Sequence, residues 1–138
     1  MNALHDNIKV SRGLSPVVAG TDNTPYVSEI IDCGQYQHTE FVILIGANTD
    51  ADATFTVLFE DGDVSNLSDN AAVADAYLLG TEVAASFTFT HDNETRKIGY
   101  IGAKRYCRVT ITPANNGAGN IYIAGAWIQA GARVVPLS

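Results

Sequence analysis

Short stretches in which apolar and polar residues alternate recur along this chain, and this period of two predicts β-strands. The clearest is 106–112, where Cys107, Val109 and Ile111 are expected to face a core. The stretch 54–60 alternates in the same way. About seven or eight such strands, at spacings of roughly 10 to 15 residues, indicate a sandwich or barrel. We predict an all-β, single-domain fold: an antiparallel, jelly-roll-like β-sandwich.

The stretch 97–112 predicts a β-hairpin. Residues 97–101 form a short β-prone run, and Gly102 allows the backbone of the turn at 102–103 to adopt positive φ. The returning strand, 106–112, would then pair with the first. On this interpretation the apolar side chains of the returning strand face the core, and its tyrosine, arginine and threonines face outward.

Three other stretches carry structural expectations. The run 41–45 is entirely apolar, so it predicts a central strand that is covered on both faces. Trp127, the only tryptophan, lies in the last predicted strand and is expected in the core. The segment 71–77 is compatible with a turn or two of helix and equally with an extended edge segment.

The turn residues divide the chain into three parts. Glycines and prolines punctuate residues 1–25, which we interpret as an N-terminal arm, with an edge strand plus loop as the alternative. Residues 26–129 form the predicted β-sandwich, and 130–138 a C-terminal tail. A chain of 138 residues is long enough to bury one sizeable core.

The net charge of −7 is unevenly distributed along the chain. All fifteen carboxylates and only two basic residues lie in 1–94, whereas 95–138 holds six basic residues and no carboxylate. Basic strands could lie beside acidic ones, or the polarised surface could guide docking to a partner. The acidic total argues against nucleic acid as that partner.

If the basic region is an interface, its candidate residues are those with the side-chain types enriched at protein interfaces or with positive charge. They are Lys97, Lys104, Arg105, Tyr106, Arg108, Lys9 and Arg12. The alternative is an ordinary solvated strand face.

Residues for catalysis or metal binding are not arranged in any known motif. The three histidines are far apart, and an EF-hand loop starting at Asp50 lacks the required glycine and glutamate. No nucleophile elbow or phosphate-binding loop is present. We therefore expect no enzyme activity, no cofactor and no metal, although weak ion binding by the acidic loops stays open.

Cys33 and Cys107 both lie in apolar, strand-like surroundings without CxxC spacing. We interpret them as buried free thiols, and a disulfide between distant strands stays possible. The first residues do not form a signal peptide, and the longest strongly apolar run is too short to cross a membrane. We expect no membrane partner.

Three blocks of the sequence resemble a known family: LHDNIKVSRGLSPV, DADATFTVLFEDGD and KIGYIGAKRYCRVTITPANN. They are similar to capsid cement, or decoration, proteins of tailed bacteriophages, most of all to the type found in a short-tailed Bordetella phage. The resemblance extends from about residue 4 to residue 128. It carries no catalytic motif.

The resemblance implies a jelly-roll protein on the outer surface of the virion, assembled in the host cytoplasm. It would bind the major capsid protein, form a homodimer and stabilise contacts between capsid subunits. A tail or head–tail joining component is the alternative function, and a carbohydrate-binding β-sandwich is a weaker one.

Overall fold

The computed structural model describes residues 3–17 and 20–132, which fold into two antiparallel β-sheets packed face to face. The predicted single-domain, all-β sandwich is confirmed. Eleven strands are present in the described residues, more than the seven or eight predicted, because several two-residue pieces pair at the sheet edges. They are β1 (Ile8–Leu14), β2 (Tyr26–Val27), β3 (Ile31–Asp32), β4 (Tyr36–Asn48), β5 (Thr54–Gly62), β6 (Ala71–Ala72), β7 (Leu78–Leu79), β8 (Phe87–Thr88), β9 (Thr95–Tyr100), β10 (Tyr106–Ala114) and β11 (Ile121–Ala132).

Sheet A has the strand order β1-β11-β4-β9-β7. Sheet B has the order β2-β10-β5-β6, with β3 added to β10 and β8 added to β5. Helical structure is limited to 3-10 turns at His5–Asn7 and Asp75–Tyr77 and to the single-turn helix α1 (Glu82–Ala85). Of the two interpretations of 71–77, the extended edge segment therefore accounts for its start, as β6, and no α-helix forms there. None of the helices in the described residues has the length and apolar character needed to span a membrane.

The core lies between the sheets and follows the predicted alternation. Phe55, Val57 and Phe59 of β5 and the inward residues of β10 are all buried, as expected. Trp127 of β11 is at the centre, with its ring 4.7 Å from that of Phe41. The period of two was sufficient to identify these faces because each strand is buried on one side only.

The exposed edge of β5 is closed by side chains of the α1 segment. Between the short partners β6 and β8, the Val57 N–H donates to Ser86 Oγ at 3.0 Å. The Phe59 N–H donates to Glu82 Oε1 at 2.7 Å. These bonds occupy donors that an edge strand would otherwise offer to another chain.

The predicted hairpin over 97–112 is wrong. β9 pairs with β4 in sheet A, whereas all nine residues of β10 pair with β5 in sheet B. The intervening loop, 101–105, crosses between the sheets. Gly102 lies in this connection, but without the positive φ that was predicted, which in the described residues occurs at Gly80 and Gly131. A local signal also cannot select the strand with which each arm pairs.

Tyr100 determines the course of this loop. Its ring stacks on Phe59 across the core at 5.6 Å, and its hydroxyl donates to Asp61 Oδ2 at 2.6 Å. The same hydroxyl accepts the Lys104 N–H at 2.9 Å. A Cβ at Gly102 would lie within 2.5 Å of the Tyr100 ring, so the loop needs glycine at its closest approach.

The run 41–45 is central in sheet A, as predicted, but it is not covered on both faces. Phe41, Ile43 and Ile45 point into the core, while Leu44 is 56% exposed on the outer side. The expectation of double coverage is wrong for the isolated chain, because nothing in the described residues packs on the outer face of β4.

The ends of the chain differ partly from their predicted roles. Within 1–25, β1 pairs along β11 as an edge strand, which is the alternative that we kept open. The predicted tail, 130–138, begins inside β11, and residues 133–138 lie outside the described part of the chain.

Candidate interaction surfaces

The candidate interface residues do not form one patch. Lys104, Arg105 and Tyr106 are adjacent where the loop enters β10, and Arg108 follows on the outer face of sheet B. The remaining three are on sheet A, Lys97 on β9 and both Lys9 and Arg12 on β1.

Four of the basic candidates pair with acidic residues of the same chain. The closest oxygen distances are 3.0 Å for Arg108 to Glu60, 2.9 Å for Arg105 to Asp32, 3.0 Å for Lys104 to Asp63 and 2.8 Å for Arg12 to Glu29. Hydrogen bonding by Arg105 lowers the pKa of the Asp32 carboxyl. The basic C-terminal third thus neutralises the acidic strands beside it, which was one of the two interpretations of the charge pattern. A role of these residues at an interface stays a prediction.

Replacing Arg108 with alanine is expected to lower the free energy of unfolding by about 1–2 kcal/mol. Arg108 and Glu60 are directly opposite on β10 and β5, and both side chains are mostly buried. Urea unfolding of Arg108→Ala, Glu60→Gln and the double variant would measure their coupling. Additive losses would show that the pair contributes no coupling energy.

The outer face of sheet A is an apolar surface that the described residues leave uncovered. Val10, Leu44 and Leu79 are each more than half exposed on it. The strand registers place small and aliphatic side chains of β1, β11 and β4 next to one another across this face. Its apolar members are Ile8, Val10, Val42, Leu44, Leu79, Tyr122, Ala124, Ala126, Ile128 and Ala130. Contiguous apolar patches of this kind mark interaction sites.

The outer face of sheet B is different in character. Thr54, Thr56 and Thr112 are exposed there, around the ion pair of Arg108 with Glu60. Threonines and cross-strand ion pairs are typical of a solvated sheet face. One large apolar side chain on this face, Val27, is more than half exposed, against three on the outer face of sheet A.

Charged side chains on the sheet A face are few and have defined positions. Arg12, Ala126, Val42 and Lys97 form one row across four strands. The next row contains Val10, Ile128, Glu40 and Gly99. Burial raises the pKa of Glu40, and the charge of nearby Lys97 opposes this. A side chain at Gly99 would collide with the Glu40 carboxylate, which therefore lies over that glycine.

The acidic loop at Asp50 is structural. Asp50 accepts backbone N–H groups from Asp52, Ala53 and Ala118. The bond from the Asp52 N–H, followed by that from Ala118, lowers the pKa of the Asp50 carboxyl. No cluster of three or more histidine, cysteine or carboxylate side chains suited to a metal ion occurs in residues 3–17 and 20–132.

Sequence reasoning missed the sheet A face although two signals pointed to it. The apolar run 41–45 predicted that other residues pack on both faces of the strand, and alanines alternate with large residues along β11. Neither signal could show whether this chain or another molecule covers the second side.

The fold defines the chain as a single-domain antiparallel β-sandwich, and the outer face of its sheet A is apolar and uncovered in the described residues. The chain is similar in fold to the SPBc2 prophage-derived protein YomS, with 15% identity and a TM-score of 0.51 over 93% of this chain and 100% of that one. The CBM35 from Cellvibrio japonicus Abf62 has 14% identity and a TM-score of 0.44 over 90% and 97% of the two chains. The CBM36-1 domain of a xylanase from the hindgut metagenome of Trinervitermes trinervoides has 13% identity and a TM-score of 0.44 over 93% and 100%. No protein-family model and no curated protein matches the chain.

Proposed function

We propose that this chain is a non-enzymatic structural protein of a tailed phage that binds the outside of the capsid and stabilises contacts between major capsid protein subunits. The observation that carries the proposal is the apolar outer face of sheet A, which is suited to joining two copies into a dimer that can bridge capsid subunits. The resemblance of the three sequence blocks to capsid cement proteins supports it, and a protein of the same fold is encoded by a prophage.

A second copy of this chain is the proposed occupant of the sheet A face, because its charges are self-complementary in one arrangement. In this arrangement the two-fold axis lies in the plane of the interface, perpendicular to the strands and midway between the Val42 row and the Glu40 row. The Val42 row of one copy then lies over the Glu40 row of the other. Lys97 lies over the Gly99 position of that copy and beside its Glu40, and the same pair forms a second time.

A two-fold axis along the strands, between β11 and β4, brings no such opposite charges together. It places Lys97 over Arg12 of the other copy, which is already paired with its own Glu29. The alanines at the centre of the face allow two sheets to approach to the usual spacing of about 10 Å. A dimer formed in this way has two identical sets of remaining surfaces, so it can hold two capsid subunits at once, and two linked contacts bind far more tightly than one.

Charge exchange tests the dimer. Lys97→Glu and Glu40→Lys alone should each weaken dimerisation at least tenfold in analytical ultracentrifugation, because each places like charges together. The double variant should restore the dimer. Val42→Lys, at the centre of the face, should be monomeric, whereas Thr112→Lys on sheet B should behave as wild type.

A wild-type chain that stays monomeric at high concentration would contradict the dimer, and a double variant that stays monomeric would contradict this two-fold axis. Melting temperatures of all variants separate loss of contact from loss of fold.

Capsid binding is tested by adding the purified chain to capsids that lack it. We expect saturable binding over the whole shell, visible by electron cryomicroscopy, and a higher temperature of capsid rupture. Monomeric Val42→Lys should need at least a tenfold higher concentration for equal occupancy, because it loses the second contact. Density confined to one vertex would indicate a head–tail joining component, and no density would contradict the proposed function.

A further inference from the structure

The two cysteine sulfurs are neighbours in the folded chain. Cys33 directly follows β3, and Cys107 lies on β10, the strand with which β3 pairs. The Cys33 N–H donates to the Arg105 carbonyl at 2.7 Å, which holds the two segments together. The two Sγ atoms are 3.5 Å apart. A disulfide bond of about 2.05 Å therefore needs the sulfurs to approach by only about 1.5 Å.

The two sulfurs differ in access. Cys107 is fully buried, whereas Cys33 is partly exposed and lines an open cavity of about 360 Å³. The loop 101–105 forms one wall of this cavity, and its charged lining residues, Lys104 and Arg105, are paired with Asp63 and Asp32. Because Cys33 lines the open cavity, a small molecule can approach it without any opening of the sandwich.

We propose that Cys33 and Cys107 form a reversible disulfide, with Cys33 as the thiol that reacts first and Cys107 as the resolving thiol. The oxidant is a low-molecular-weight disulfide of the glutathione class, which approaches Cys33 from the open cavity.

The reaction is two successive thiol–disulfide exchanges. The Cys33 thiolate attacks one sulfur of glutathione disulfide, the sulfur–sulfur bond of the oxidant breaks, and one glutathione leaves and takes up a proton. Cys107 then loses its proton and attacks Cys33 Sγ, which expels the second glutathione as a thiol. The protein loses two electrons and two protons, and one glutathione disulfide is reduced to two glutathione molecules.

The directions in which the two thiol pKa values are shifted indicate the same order of reaction. The hydrogen bond with Cys107 lowers the pKa of the Cys33 thiol. The same hydrogen bond, followed by burial, raises the pKa of the Cys107 thiol. The accessible sulfur is thus also the one that ionises more readily, as an attacking thiol requires.

The disulfide would tie the β3 segment to β10 and close a loop that spans 74 positions of the chain. Cross-links across loops of this size raise stability mainly by restricting the unfolded chain. The timing of the reaction rests on the proposed function: thiols stay reduced in the cytosol during assembly and oxidise once the particle is outside.

The test uses the isolated full chain, treated with glutathione disulfide or with dithiothreitol. We expect glutathione disulfide to remove both titratable thiols and to lower the intact mass by two hydrogens. The oxidised form should melt roughly 10 °C above the reduced form. Dithiothreitol should reverse both changes.

Two variants distinguish the roles of the sulfurs. Cys107→Ala should stop at a stable glutathione adduct on Cys33, and Cys33→Ala should leave Cys107 unmodified. Unchanged thiols in the wild type, or an adduct that Cys107 never resolves, would overturn the proposal. Because no capsid is involved, failure here is separate from failure of the proposed function.

Discussion

Replacing Trp127 with alanine is expected to lower the free energy of unfolding by about 3–5 kcal/mol. The indole is fully buried and lies edge-on to two other core rings, at 4.7 Å from Phe41 and 5.8 Å from Phe59. Its Nε1–H also donates to the Glu29 carbonyl at 3.0 Å. The substitution removes these contacts and leaves a cavity between two sheets that cannot close on it.

Urea unfolding followed by far-UV circular dichroism measures this loss, since the variant has no tryptophan fluorescence. Trp127→Phe keeps an aromatic ring and should lose less, about 1–3 kcal/mol, from reduced packing and the lost Nε1–H hydrogen bond to the Glu29 carbonyl. Tyr77→Ala is the control, because this aromatic side chain is 54% exposed and should contribute less than about 1 kcal/mol. Equal losses for Trp127→Ala and Tyr77→Ala would show that Trp127 is not the centre of the core.

The second large effect is expected at Tyr100, where removal of one hydroxyl should lower the free energy of unfolding by about 1.5–3 kcal/mol. Tyr100→Phe keeps the stack on Phe59 but leaves the Asp61 carboxylate and the Lys104 N–H without their shared partner. Both groups then have to find water at the end of the sandwich. The loop 101–105 should loosen as a result.

Tyr106→Phe provides the matched control, since the Tyr106 hydroxyl makes no hydrogen bond within the described chain and the ring is only half-buried. It should change stability by less than about 0.5 kcal/mol. Hydrogen exchange at the Lys104 amide gives a local measurement, which Tyr100→Phe should accelerate and Tyr106→Phe should not. An unchanged Lys104 exchange rate would contradict the role assigned to Tyr100.

Alkaline pH should reduce the difference between wild type and Tyr100→Phe. Burial, and then the hydrogen bond to Asp61, raise the pKa of Tyr100 in the folded protein above its ordinary value of 10.0. This stabilisation is complete below the pKa of the unfolded chain and is lost as the pH rises above it. Unfolding measured at neutral pH and above pH 10 would show the decrease.

The strand pattern predicted the faces of β5 and β10 correctly for a physical reason. A strand with one face buried and one solvated alternates strictly, so Val57 and Val109 could be assigned to the core from their neighbours alone. The same reasoning failed for the run 41–45, because burial on both sides is a property of what packs there. A uniformly apolar strand indicates that a second layer packs on it, but it does not show which molecule provides that layer.

The uneven charge distribution was evident from the sequence, but the partners of the basic side chains were not. Six basic residues after position 94 suggested either a docking surface or pairing with acidic strands. The register of β10 on β5 decided the case of Arg108 by placing Glu60 directly opposite. Register depends on the whole sheet, since a slip of β10 by one residue would have turned Arg108 to the face opposite Glu60.

The stretch 97–112 shows both what the sequence determines and what depends on the tertiary structure. The sequence by itself determined that it contains two strands joined by a short connection with a glycine, because β-propensity and alternation are local properties. Only the tertiary structure decided that the strands belong to opposite sheets, that Tyr100 holds the crossing, and that Cys107 meets Cys33. Those outcomes depend on pairings and packing between residues far apart in the chain, whose free energies exist only once the sandwich has formed.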